Sequence, residues 1–162
     1  MTKIHQAIPT RLLVFDVAVQ KIGLQELSEP GKHDQEIISF AKDIGHAWVS
    51  DDELAWCASF FGSCMKSAGM QYLRTLRARD YAGFGKSVKY DPATGEGILP
   101  GHGLVFTRGA NPLYGHLAFA CSCRKGIAYV LGGNQSNQVN VSPYKLSRLI
   151  YAFEPEIRVE EK

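Results

Sequence analysis

Cys57, His116 and Asn134 are the residues of this sequence whose types and order could carry out chemistry together. A thiol is a useful nucleophile as its thiolate, and its free pKa of about 8.5 falls at a helix N-terminus or beside an imidazole. The stretch LAWCASFFGSC meets the first condition, because its apolar spacing predicts a helix that starts near Trp56. His116, in NPLYGHLAFA, follows a glycine at the mouth of a predicted strand and is placed to act as the base. Asn134, in YVLGGNQSN, sits where the next strand runs out, where a third group would hold the imidazole in one tautomer. Gln135 and Asn137 stand close enough to compete for that role. Two features oppose the nucleophile reading. Free cysteine is among the most buried residue types and usually packs. Asp51, Asp52 and Glu53 also bring negative charge to the helix start, which disfavours a thiolate unless they point away.

The elements that must position these groups are legible in the apolar pattern. At 162 residues, 45% hydrophobic and 21% charged, the chain reads as one domain with enough apolar content for a full core. Helices are expected over residues 11–22, 34–44 and through the Cys57 stretch, with Gly45 and Gly69 as stops. A shorter helical piece is expected over 72–80. The glycine-rich segment GFGKSVKYDPATGEGILPGHG then predicts a long loop, a candidate rim for a substrate cleft. Beyond it GLVFT, HLAFACSC, GIAYVL, QVNVS and SRLIYAF read as about five strands, mostly antiparallel because their connections are short. The expectation is an α+β domain, a cysteine helix packed on a meander.

Several function classes are disfavoured. A net charge of +2 points to neither nucleic acid nor a membrane surface. Four cysteines, Cys57, Cys64, Cys121 and Cys123, are too few and too oddly spaced for a disulfide scaffold, so free thiols are expected. Cys121 and Cys123, with His102 or His116, lack the usual zinc spacing and read as packing. YAGFGKS lacks the first glycine of a phosphate loop, because Asp80 stands there. His5, His33 and His46 read as surface residues, and Arg74, Arg77 and Arg79 as a solvated helix face. No signal peptide and no bilayer-length apolar stretch is found, so synthesis in the cytoplasm and no membrane insertion are expected.

AWCASFFGSCMKSAGM, LVFTRGANPLYGHLAF and YVLGGNQSNQVNVSPYKLSRLIYAF together resemble the NlpC-type cysteine peptidases, a papain-fold group that cleaves bacterial cell-wall peptides. The likeness is to the branch with phage endolysin domains, related to the CHAP amidases, and covers residues 20–153. It departs in having Gly101-His102 before the first strand, and Ala55 where a proline is common. The resemblance implies a papain-like fold with Cys57 as nucleophile, His116 as base and acid and Asn134 as orienter. It further implies substrate contacts at Trp56, Arg108, Tyr114 and Gln135, with no metal and no cofactor. Lys86, Lys89 and Arg108 are candidates for meeting stem-peptide carboxylates. The implied substrate is a peptidoglycan stem peptide, cut in the periplasm or cell wall after release by lysis or injection by a secretion machine, where an immunity protein would be the inhibitor. An inactive wall-binding or apparatus module, and a cysteine amidase for a non-wall amide, are the other readings.

Overall fold

The computed structural model describes residues 8–159. His5 therefore lies outside the described residues. Three helices, α1 (Thr10–Val19), α2 (Gln35–Asp43) and α3 (Cys57–Ser67), precede six strands: β1 (Lys86–Ser87), β2 (Gly103–Thr107), β3 (Gly115–Arg124), β4 (Ile127–Gly132), β5 (Asn140–Lys145) and β6 (Leu149–Glu154). They form one antiparallel sheet in the order β1-β6-β2-β3-β4-β5. The expected meander holds for β2 to β5. The chain then returns across the sheet, and β6 pairs with the other side of β2.

Alternation along the strands gives the sheet two apolar faces. Val105, Leu117, Phe119 and Leu131 face the helices, whereas Leu104, Phe106, Ala118 and Val130 belong to a second cluster on the opposite face. α3 is the pivot of the first cluster, buried from Cys57 to Met65. Phe61, one turn after Cys57, stacks on Phe119 of β3 with ring centroids 4.1 Å apart. Phe61 also meets Tyr81 and Phe153 edge-on. Because residues four apart share a helix face, this stack fixes the height of Cys57 against β3.

The helix signals act where the sequence places them, with refinements. Asp34 is the N-cap of α2 rather than its first residue, accepting from the backbone N–H groups of Glu36 and Ile37. Gly45 and Gly69 take φ of 97° and 74° after α2 and α3, a left-handed conformation that only glycine adopts without strain. α1 ends earlier than expected and buries only Val14 and Ala18, leaving Leu12 and Leu13 exposed.

Two expected elements differ. Residues 72–80 form no α-helix; a single 3-10 turn, Ala78–Tyr81, carries Tyr81 into the core, where its hydroxyl accepts from Leu73 N. The glycine-rich segment contains β1 and then packs Val88, Tyr90 and Ile98 on the second cluster, the face away from the helices. It lines neither the cavity at Cys57 nor the one at His116, and neither do Lys86 and Lys89 within it.

Candidate active site

Cys57 opens α3 and is 3% exposed. The first turn of a helix leaves backbone N–H groups without intrahelical partners, and no side chain caps this one. Burial pushes the Cys57 thiol upward, while the backbone N–H of Leu117, the Arg108 charge and the N–H groups of Ala58 and Cys57 itself pull it down. Leu117 follows His116, so the sulfur lies against the start of β3. The acidic residues before α3 do not crowd it. Asp52 turns toward α2, accepting from Asp34 N and lying 2.7 Å from His33 Nδ1. Asp51 accepts from Glu53 N.

His116 is also 3% exposed. Its ring lies parallel to the Tyr144 ring at 4.8 Å, and its Nε2 is 2.8 Å from Gln135 Oε1. The direction of that bond follows from the rest of the Gln135 amide. Gln135 Nε2 donates to the carbonyls of Asn140 and Val130 and to Asn140 Oδ1, at 2.8, 3.3 and 2.9 Å. Carbonyl oxygens only accept, so the nitrogen must face them and the oxygen must face His116. His116 Nε2 then carries the proton, and Nδ1 keeps its lone pair. Burial lowers the His116 pKa to about 4, so the ring is neutral at ordinary pH. At ordinary pH both groups rest uncharged, a thiol at the start of α3 and a neutral imidazole on β3.

The glycine pair at the end of β4 makes this arrangement possible. A Cβ on Gly132 would stand 2.6 Å from Gln135 Oε1 and 3.0 Å from Ala118 Cβ. A Cβ on Gly133 would stand 2.7 Å from Phe60 Cβ and from Trp56 Cζ3. Gly132 therefore leaves the space that the Gln135 amide fills, and Gly133 lets the strand end close on the first turn of α3.

Asn134 is not the partner of His116. It takes φ of 55°, and Ser136 and Asn137 are left-handed too, at 53° and 60°. Asn tolerates this conformation better than most residues, so Asn134 turns the backbone and sends Gln135 inward. Gln135, expected at the substrate, is the residue whose amide oxygen meets the His116 ring.

The other candidates separate clearly. Trp56 is buried, donates from Nε1 to Glu26 Oε1 at 2.7 Å and packs on Phe40, so it supports α3 rather than a ligand. Tyr114 is 61% exposed and lines a groove of about 580 Å³ that reaches Cys57. His116 opens on a second cavity of about 220 Å³ with Asn134, Tyr144 and Arg148. Arg108 borders both cavities. Arg79, expected on a solvated helix face, braces the β2–β3 loop: its Nε donates to the Tyr114 carbonyl at 2.7 Å, and its stem fills the place of a Gly115 side chain. His46 and His33 are likewise more than surface residues, His46 being bonded to Arg74 and Trp48.

Four free cysteines are present, and Cys64 is buried with its thiol pushed up to about 12. Cys123 packs against Gly95. Among the described residues one group, His33, Asp52 and Glu53, brings possible ligand atoms within 4.8 Å, but Asp52 is already engaged by His33 and Asp34. No described helix is long and apolar enough to cross a membrane. Comparison of the chain with protein-family models, curated proteins and solved structures finds no match.

Proposed function

We propose that this chain is a papain-like cysteine amidase that cleaves an amide in or at the stem peptide of peptidoglycan. The observation that carries the reading is the Gln135–His116 pair, which commits the Nε2 proton and leaves Nδ1 unprotonated, one residue before the Leu117 N–H that meets the thiol of the helix-start Cys57. Burial alone asks for a partner to the ring; what supports chemistry is that this partner leaves Nδ1 unprotonated on a histidine that opens on a cavity, as a thiol mechanism requires.

In the reaction His116 Nδ1 takes the Cys57 proton as sulfur bonds to the amide carbonyl carbon. The oxyanion is met by unpaired N–H groups of the first turn of α3, the Cys57 N–H among them. The C–N bond breaks as the imidazolium gives its proton to the leaving amine, and a thioester remains. Water then attacks the thioester with His116 as base, releasing the acid and restoring the thiol. The neutral resting pair suits this order, in which the proton moves as substrate enters and excludes water.

The assignment of the wall as substrate rests on the resemblance of the three sequence blocks to NlpC-type enzymes. Release by lysis, or injection into a rival with an immunity protein kept by the producer, are the routes that this activity implies. One observation favours the inactive-module reading, namely that Cys57 is nearly buried. Digestion of purified peptidoglycan by the wild type and by Cys57→Ala, with products identified by mass spectrometry, separates the two. Fragments released by the wild type alone support the amidase; a folded wild type that releases none from walls of several chemotypes overturns it.

A further inference from the structure

The two cavities that meet at Arg108 differ in chemistry. The groove at Cys57 is walled by Trp48, Leu54, Leu76, Leu113 and Tyr114, and Arg77 on its edge is paired with Asp80. The cavity at His116 carries Arg108 and Arg148 and no carboxylate. Arg148 is held there, its Nη2 donating to the Thr107 carbonyl at 2.6 Å and its guanidinium lying over the Tyr144 ring. Among the described residues neither Arg108 nor Arg148 is in a salt bridge.

Catalysis assigns the halves of the substrate to these two spaces. The general acid must reach the leaving nitrogen, so the amine half lies on the His116 side and the acyl half in the groove at Cys57. Arg148, held in place and facing no carboxylate among the described residues, with Arg108 beside it, favours an amine half that carries carboxylates. The groove favours an acyl half without charge, because a carboxylate placed among these side chains would lose its hydration without gaining a partner.

Trp48 points the same way. It is 66% exposed, yet its Nε1 donates to His46 Nδ1 at 3.3 Å, and His46 Nε2 is bonded to the Arg74 carbonyl. An exposed indole held in one orientation is a platform with an apolar face and a wet rim, suited to the C–H face of a sugar ring.

We infer that the bond cut is the one joining the glycan to the stem peptide, with the neutral muramoyl-lactyl group in the Trp48–Tyr114 groove and the carboxylate-bearing peptide leaving past Arg108 and Arg148. The inference rests on the proposed amidase reading and narrows it. Hydrolysis breaks the lactyl carbonyl–nitrogen bond, water supplying a hydroxyl to the lactyl carbon and a proton to the alanine nitrogen. A cut beyond the acidic second residue of the stem would put its carboxylate into the acyl half, in the groove whose one cation outside a salt bridge, among the described residues, is Arg108 at its border. A cut directly after the first alanine leaves the acyl half neutral, and the Trp48 platform, which calls for a sugar next to the cleaved bond, is what favours the glycan junction over it.

The test uses the full chain with two purified substrates, a disaccharide-tetrapeptide and the same tetrapeptide without sugar, and reads products by mass spectrometry. The expected products of the first are the disaccharide with a free lactyl carboxylate and the intact tetrapeptide; the second stays whole. A cut within the tetrapeptide overturns the bond assignment and leaves the amidase reading standing. No product from either substrate, where Cys57 still reacts with iodoacetamide, overturns the amidase reading and the assignment with it. Trp48→Ala is expected to raise KM for the disaccharide-tetrapeptide roughly tenfold, the size of one aromatic contact, without changing the rate of Cys57 alkylation. An unchanged KM removes the glycan from the groove.

Discussion

Gln135 holds its amide oxygen 2.8 Å from His116 Nε2 while its amide nitrogen is spent on the carbonyls of Val130 and Asn140. The pair behaves as a unit: the glutamine cannot flip without setting two carbonyl oxygens against its own. Asn140 completes the clamp, with its Nδ2 donating back to the Gln135 carbonyl at 3.1 Å and its Oδ1 taking the Ser142 hydroxyl.

Gln135→Ala is therefore expected to lower kcat by about 10²-fold or more, by analogy with other losses of a tautomer-fixing partner, with a smaller effect on KM. Asn134→Gly keeps the left-handed backbone and is expected to stay within about threefold of wild type. Proton NMR adds a readout that packing alone would not move. A downfield imidazole N–H resonance is expected in the wild type and in Asn134→Gly, and its persistence in Gln135→Ala would show that Gln135 does not hold that proton.

Gly132→Ala addresses the same unit from the backbone. The new methyl would meet Gln135 Oε1 and push the amide off His116, while Gly133→Ala would meet Phe60 and Trp56 and strain the junction of β4 with α3. The first is expected to lose activity with little loss of melting temperature. The second is expected to lose about 1–3 kcal/mol of stability, the usual cost of overpacking. Thermal melts beside turnover assays check the split, and equal stability losses in both would remove the distinction.

What could be read from the sequence followed the strength of the local signal. α2 has a capping aspartate, α2 and α3 both stop at a glycine, and β2 to β4 are apolar runs between turns, so their positions were legible to within a few residues. The return of β6 to β2 was not, because strand order depends on contacts between residues far apart in the chain. The glycine-rich segment misled for a related reason: its Val88, Tyr90 and Ile98 are too sparse to form a period, yet they cover the second face of the sheet. At the site, Cys57 and His116 were marked by residue type. The choice of Gln135 over Asn134 was hidden in left-handed backbone angles, which move a side chain to the other side of the chain without altering its neighbours in sequence.

The Cys57 thiol offers a prediction that needs no substrate. Burial holds it above the ordinary cysteine range, and Arg108 opposes that shift. Alkylation by iodoacetamide at pH 7.5 is expected to be slower than for a free thiol and to accelerate as pH rises. Arg108→Gln withdraws a positive charge, so the thiolate becomes harder to form and the rate profile moves to higher pH. Mass spectrometry on the Cys57 peptide reads both effects, and a profile that Arg108→Gln leaves in place would remove Arg108 from the electrostatics of the site.

His116 ties the stability of the fold to acid. Its folded pKa of about 4 lies below the 6.5 of the unfolded chain, so between these values the unfolded state binds the extra proton and is favoured as pH falls. The contribution is whole above pH 6.5 and is lost by pH 4, amounting to roughly 3 kcal/mol over the window. His102 works in the same direction: its Nδ1 accepts from Leu99 N and its pKa is lowered chiefly by burial, against the pull of Glu154. The wild type is thus expected to lose urea stability steeply from pH 6.5 to pH 4. His116→Asn should be less stable at pH 7, where it forfeits the Tyr144 stack, but should show a shallower slope across the window because one buried proton acceptor is gone. Urea titrations at pH 7, 5.5 and 4.5 measure that slope, and a His116→Asn slope as steep as the wild type would mean that the ring is already accessible to protons in the folded state. That outcome would turn the resting pair from a neutral one into one able to charge before substrate arrives.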